Sequence, residues 1–135
     1  MKSKTETFSQ RELPVQTDYI LVVDDLADNR FLLKAILEAE GYNVELASSG
    51  VAALAQAEAV LPKLMLLDVM MPGMSGYEVT QRVRQSTKLA SLPVVLITAY
   101  GQESAKVGKA AGANDFICKP FDFDELIKRI QAYAV

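Results

Sequence analysis

The chain has 135 residues, with 14 basic and 17 acidic side chains and a formal charge of −3. Half the residues are apolar and 23% are charged, the composition of one folded domain rather than of a disordered chain. The absence of histidine excludes Ser-His-Asp and Cys-His nucleophile pairs, His-ligated zinc or haem, and a phosphohistidine carrier, while the lone Cys118 excludes an internal disulfide and a multi-cysteine metal cluster.

Residues 1–18 are polar and irregular and read as a flexible N-terminal extension. They carry no apolar h-region, so no signal peptide is expected. The domain proper is assigned to 19–135. Its first apolar run is Tyr19–Val23, followed by a helix over 27–40 with Leu32, Leu33, Ile36 and Leu37 on one face and Gly41 as C-terminal cap. Asn43–Ala47 alternates, with Val44 inward and Glu45 outward, as an edge strand does. A helix over 50–60 leads to the run Lys63–Leu67, a helix over 75–87 to Pro93–Ile97, and a helix over 101–112 to Asp115–Cys118. The last helix, 122–134, opens on Asp122 with Glu125 three residues on and carries Leu126, Ile127 and Ile130. Cys118, on the last run, is expected to be buried.

Alternation of strands and helices implies parallel βαβ units, because a parallel pair requires a crossover. The first, third and fourth runs are apolar on successive residues, as strands covered on both faces are. These demands are met by an α/β fold: a doubly wound five-stranded parallel sheet of order 2-1-3-4-5 with five helices, flavodoxin-like. Ligands of such sheets bind beyond the carboxyl ends of the strands. There the sequence places Asp24 and Asp25, then Asp68, Thr98 and Lys119. Three carboxylates brought together repel one another, so either one protonates or a cation binds between them. Oxygen donors alone favour a hard ion, Mg²⁺ with Mn²⁺ as a substitute. A lysine and a hydroxyl facing that ion complete a cradle for a phosphoryl group.

Four segments carry a resemblance over residues 19–134: ILVVDDLADNR (20–30), LMLLDVMMPGMSGYE (64–78), VVLITAY (94–100) and FICKPFDFDEL (116–126). With them the sequence resembles the response-regulator receiver domains, CheY-like in fold. The resemblance implies that Asp68 is the phosphoacceptor, taking a phosphoryl group from a partner phosphohistidine. It implies that Asp25 ligates Mg²⁺ directly, Asp24 mainly through water and Met70 through its backbone carbonyl, and that Thr98 and Lys119 contact the phosphoryl oxygens. It makes Lys119–Pro120 a candidate cis bond. Thr98 and Phe116 become the switch pair that reshapes the surface of the fourth helix, fifth strand and fifth helix. Met70 and Tyr100 stand at positions that tune phosphoryl lifetime. Neither is Asn or Glu, so slow self-dephosphorylation is expected.

The partners implied are a sensor histidine kinase or a histidine phosphotransfer protein and a downstream protein target, with room for a homodimer. Scattered basic residues argue against nucleic acid, and no apolar run approaches the roughly 20 residues of a membrane span. A cytoplasmic location follows as the expectation. With nothing after Val135, the reading is of a stand-alone response regulator, not itself an enzyme, or of a phosphorelay intermediate. A haloacid-dehalogenase-type phosphatase fits less well, since it would carry a second acid where Met70 stands, and the complete acid, threonine and lysine set disfavours a non-phosphorylated scaffold. Nucleotide sites of the G-x-G-x-x-G and P-loop kinds are absent.

Overall fold

A computed structural model describes residues 18–99 and 102–134, with the backbone alone at Gln102 and Glu103. The elements, in chain order, are β1 (Tyr19–Val23), α1 (Ala27–Ala39), β2 (Asn43–Ala47), α2 (Gly50–Ala59), β3 (Leu64–Asp68), α3 (Gly76–Gln85), β4 (Val94–Thr98), α4 (Gln102–Ala111), β5 (Asp115–Cys118) and α5 (Phe123–Tyr133). All pairings are parallel and the sheet order is β2-β1-β3-β4-β5. The expected α/β architecture is therefore the observed one. Residues 1–17 of the expected extension lie outside the described residues. Asp18 ion-pairs with Lys63 Nζ at 2.6 Å and accepts from the Asn43 amide through its carbonyl.

Strands β1, β3 and β4 are buried at every position, which matches their uninterrupted apolar sequence. Side-chain alternation divides the core into two layers. Leu21, Val23, Met65, Leu67 and Leu96 face one side with Val79 and Val83 of α3. Ile20, Val22, Leu66, Ile97 and Ile117 face the other with Leu33 and Leu37 of α1 and Leu126 and Ile130 of α5.

Local chemistry explains where the helices start and stop. Gly41 adopts φ +93, the left-handed region that a residue with a Cβ avoids. Its N–H bonds to Glu38 O at 3.0 Å and the Tyr42 N–H to Leu37 O at 3.1 Å, which makes a Schellman end for α1. Helix α3 opens on a reciprocal capping box between Ser75 and Glu78. Asp122 caps α5 by accepting from the Glu125 N–H at 2.6 Å.

Two expectations about side-chain placement fail. Leu32 is 49% exposed, because Leu33 and Leu37, four apart, take the inward stripe of α1 and turn Leu32 outward. Cys118 is exposed rather than buried. It ends an edge strand, on the face opposite Ile117, whose side chain goes into the core.

At the pole opposite the strand carboxyl ends, Arg84 staples three segments. Its guanidinium donates to Gly112 O at 2.8 Å, Leu92 O at 2.6 Å, Ala90 O at 3.2 Å and Asn114 Oδ1 at 2.7 Å. Arg84→Ala should therefore lower stability by about 3 kcal/mol through the carbonyls it leaves unpaired. Arg84→Lys should recover less than half of that, since an ammonium cannot reproduce the planar fork. Urea midpoints of the three proteins check this.

Candidate functional site

The sheet brings the candidate residues together by parity and register. Asp24, Asp68 and Lys119 continue the alternation of Ile20 and Val22, Leu66, and Ile117, so they share one face. The ladders run to the very edge of the site: Asp68 is opposite Ile97, and Thr98 is opposite Cys118. Bonds from Asp24 N to Ala47 O, Val69 N to Ile97 O and Lys119 N to Thr98 O, at 3.2, 2.9 and 2.7 Å, extend them one residue further. The side chains thus project from a rigid frame rather than from free loops.

One oxygen each from Asp24, Asp25 and Asp68 falls within 4.8 Å of the others. Asp24 and Asp68 are buried at 2% and 7% exposure, with Asp25 more open. Asp24 Oδ1 accepts the Leu26 N–H at 3.0 Å, and Arg30 donates to the Asp24 carbonyl at 2.8 Å, which together fix the turn after β1. Lys119 Nζ lies 3.8 Å from Asp68 Oδ1. Thr98 is fully buried at the end of β4. The Lys119–Pro120 bond is cis.

Burial pushes the Asp68 carboxyl up from its ordinary 3.8 to about 6. The Asp24 carboxylate adds to the rise, Lys119 opposes it, Asp25 adds again, and the Met70 N–H bonded to the carboxylate opposes it. An acid held this far from its ordinary range by burial, with neighbouring acids adding to the rise, gains from a cation. All three side-chain donors are carboxylates, which suits a hard divalent ion that keeps open positions. The three carboxylates therefore fit Mg²⁺. The Met70 side chain is 57% exposed.

The loop after β3 is drawn tight by Gly76, whose N–H bonds to Val69 O at 2.9 Å. A Cβ at Gly76 would lie 2.5 Å from Asp68 O and 2.8 Å from Val69 Cα, so only glycine permits this approach. Phe116 is half-buried against the core layer containing Leu96, its register partner. Thr98 is two residues along from Leu96, on the same face, which makes it a diagonal neighbour of Phe116. Tyr100 lies outside the described residues. A cleft of about 340 Å³ opens beside Asp24 and Lys119, walled by Leu32, Leu33, Pro120, Phe121 and Phe123.

Sequence reasoning missed Arg30 and the Leu26 N–H as supports of Asp24. Both lie in the segment 20–30 that carries the resemblance, but nothing in its spacing assigns them a role. The Ser75–Glu78 box did have a readable signal, the S-x-x-E spacing just before an apolar-periodic run.

The sequence profile of the response regulator receiver domain matches residues 20–131. An uncharacterized 14.6 kDa protein from the sodA1 3′ region of Leptolyngbya boryana is 44% identical over 117 residues, 86% of this chain and 89% of its own length. The phosphate regulon transcriptional regulatory protein PhoB of Rhizobium meliloti is 42% identical over 84% of this chain, which spans 50% of PhoB. Among solved structures, the chemotaxis protein CheY4 of Vibrio cholerae superposes with a TM-score of 0.81 at 33% identity, covering 87% of this chain and 98% of CheY4. The receiver domain of the sensor histidine kinase PA1611 of Pseudomonas aeruginosa, with a magnesium ion coordinated in its active site cleft, gives 0.80 at 30% identity, covering 87% of this chain and 97% of that one. The five-stranded parallel fold, the acid cluster at the carboxyl ends of its strands and these matches agree: the chain belongs to the response regulator receiver domain family.

Proposed function

We propose that this response regulator takes a phosphoryl group onto Asp68 from a phosphohistidine of a sensor kinase or histidine phosphotransfer protein. The observation that carries the reading is the convergence of three carboxylates within 4.8 Å, with Lys119 3.8 Å from the buried Asp68. Asp24, Asp25, Asp68 and the Met70 carbonyl would hold Mg²⁺, which supplies charge neutralisation for the phosphoryl oxygens when bound.

Asp68 acts as the nucleophile. Its carboxylate oxygen forms a P–O bond while the P–N bond of the donor breaks, and the electron pair leaves with the imidazole. The Lys119 ammonium offsets the charge on the phosphoryl oxygens, and the Thr98 hydroxyl donates to one of them. Drawing Thr98 toward the phosphoryl group opens space on the face that it shares with Phe116. Rotation of the Phe116 ring into that space reshapes the α4-β5-α5 surface for a downstream protein.

Incubation with a small-molecule phosphodonor and Mg²⁺ should yield an acyl phosphate cleaved by hydroxylamine. Chelation of the metal should abolish its formation. Because Met70 offers no side-chain group to align water, the product should persist for many minutes at neutral pH after the donor is removed. A phosphoamino acid stable to hydroxylamine would overturn the reading, and a lifetime of seconds would overturn the assigned role of Met70.

A further inference from the structure

The Tyr77 hydroxyl donates a hydrogen bond to the Ser104 carbonyl at 3.2 Å. Tyr77 is in the first turn of α3 and Ser104 in the first turn of α4, so the bond ties the two helices together. The same tyrosine supports α4 from below. A Cβ placed on Gly108, in the middle of α4, would lie 2.7 Å from Leu96 Cδ1, 3.5 Å from Phe116 Cδ2 and 3.7 Å from Tyr77 Cε1. Helix α4 thus rests low on three side chains. Leu96 is fully buried, while Phe116 and Tyr77 are half-buried. Of the three, only Tyr77 also holds α4 by a polar bond.

Two of these supports differ in what the proposed switch does to them. Phe116 turns away when Thr98 moves, and α4 then loses one side of its seat. Tyr77 sits on α3, outside the switch pair, and its hydroxyl holds Ser104 only while α4 keeps its resting place, so a shift of α4 breaks the bond. We propose that Tyr77 is a positioning residue that latches α4 in its resting place and so sets the ratio of resting to switched protein. This rests on the phosphoacceptor reading above. A bond made in the resting arrangement and broken in the other biases the equilibrium by its own net worth. Its loss raises the switched population, and with it the apparent affinity for any ligand that selects that state.

Tyr77→Phe in the full chain keeps the ring and removes the bond. Beryllofluoride, a phosphoryl mimic, is titrated with Mg²⁺ into both proteins and binding is followed by calorimetry. Tyr77→Phe should bind about three- to tenfold more tightly, the effect of one net hydrogen bond. A purely structural tyrosine would lower the urea midpoint and leave binding equal or weaker, and equal or weaker binding overturns the latch. If the unaltered protein binds no beryllofluoride, or Asp68→Asn binds it as well, the phosphoacceptor reading fails and the latch fails with it.

Discussion

In metal-free buffer near pH 8, Asp68→Asn should be more stable than the unaltered protein by about 2–3 kcal/mol. The folded chain holds its Asp68 proton up to pH about 6, against an ordinary value of 3.8. Between those values the folded state binds more protons than the unfolded state, so the Asp68 contribution to stability falls as pH rises through that window. Below it both states are protonated and the penalty is gone. Asparagine has nearly the same shape and carries no charge at any pH, so the gap between the two proteins should open from near zero at about pH 4 to its full size above about pH 7. Mg²⁺ should close the gap by stabilising the unaltered protein selectively, in proportion to the logarithm of its concentration. Urea midpoints across pH, with chelator and with Mg²⁺, measure all of this. A destabilised Asp68→Asn at the alkaline end would contradict the electrostatics assigned to the site.

Gly76→Ala should have the other large effect, although Gly76 supplies no functional group. The added methyl would meet Asp68 O at 2.5 Å and Val69 Cα at 2.8 Å, and both are backbone atoms that no rotamer change can move. The end of β3 or the start of α3 must shift, at a cost of about 2–4 kcal/mol. Because the displaced atoms belong to Asp68, the proposed acceptor, and to Val69 beside it, phosphoryl uptake should slow by about 10- to 100-fold even where the protein stays folded. Gly73→Ala is the informative companion. Gly73 also lies in the loop after β3, at φ +77, but a Cβ there meets nothing within 4 Å. It should cost only the backbone strain, about 1 kcal/mol, and leave the uptake rate nearly unchanged. Equal rates for Gly76→Ala and the unaltered protein would show that the close approach does not position Asp68.

The sheet was legible because its three central strands must be apolar on both faces, and YILVV, LMLL and VVLI say so directly. At β3 and β4 the apolar runs stop one residue short of the strand ends, which lie at Asp68 and Thr98. Asp68 and Thr98 are polar, so a hydrophobic pattern stops before them, yet the ladder continues to include both. Polar residues paid for by backbone pairing are what a functional strand end requires, and pattern alone cannot see the pairing. The acids, threonine and lysine were readable from their positions at strand ends, because parallel topology carries those ends to one pole. What pattern could not reveal depends on contacts between distant segments. Arg84 binds residues 28 and 30 positions away. Cys118 is exposed because α4 and α5 leave the end of the edge strand uncovered, a matter of helix placement rather than local sequence. Leu32 shows the same limit on a smaller scale: four apolar residues in six span more of the helix circumference than a single buried stripe, and only packing decides which turns out.

The central claim is that Asp68 is the residue that accepts the phosphoryl group. Intact-mass measurement after incubation with Mg²⁺ and acetyl phosphate tests it most directly, with Asp68→Asn treated in parallel. The account predicts a gain of one phosphoryl group in the unaltered protein and none in Asp68→Asn. No gain in the unaltered protein, or an equal gain in both, would contradict it.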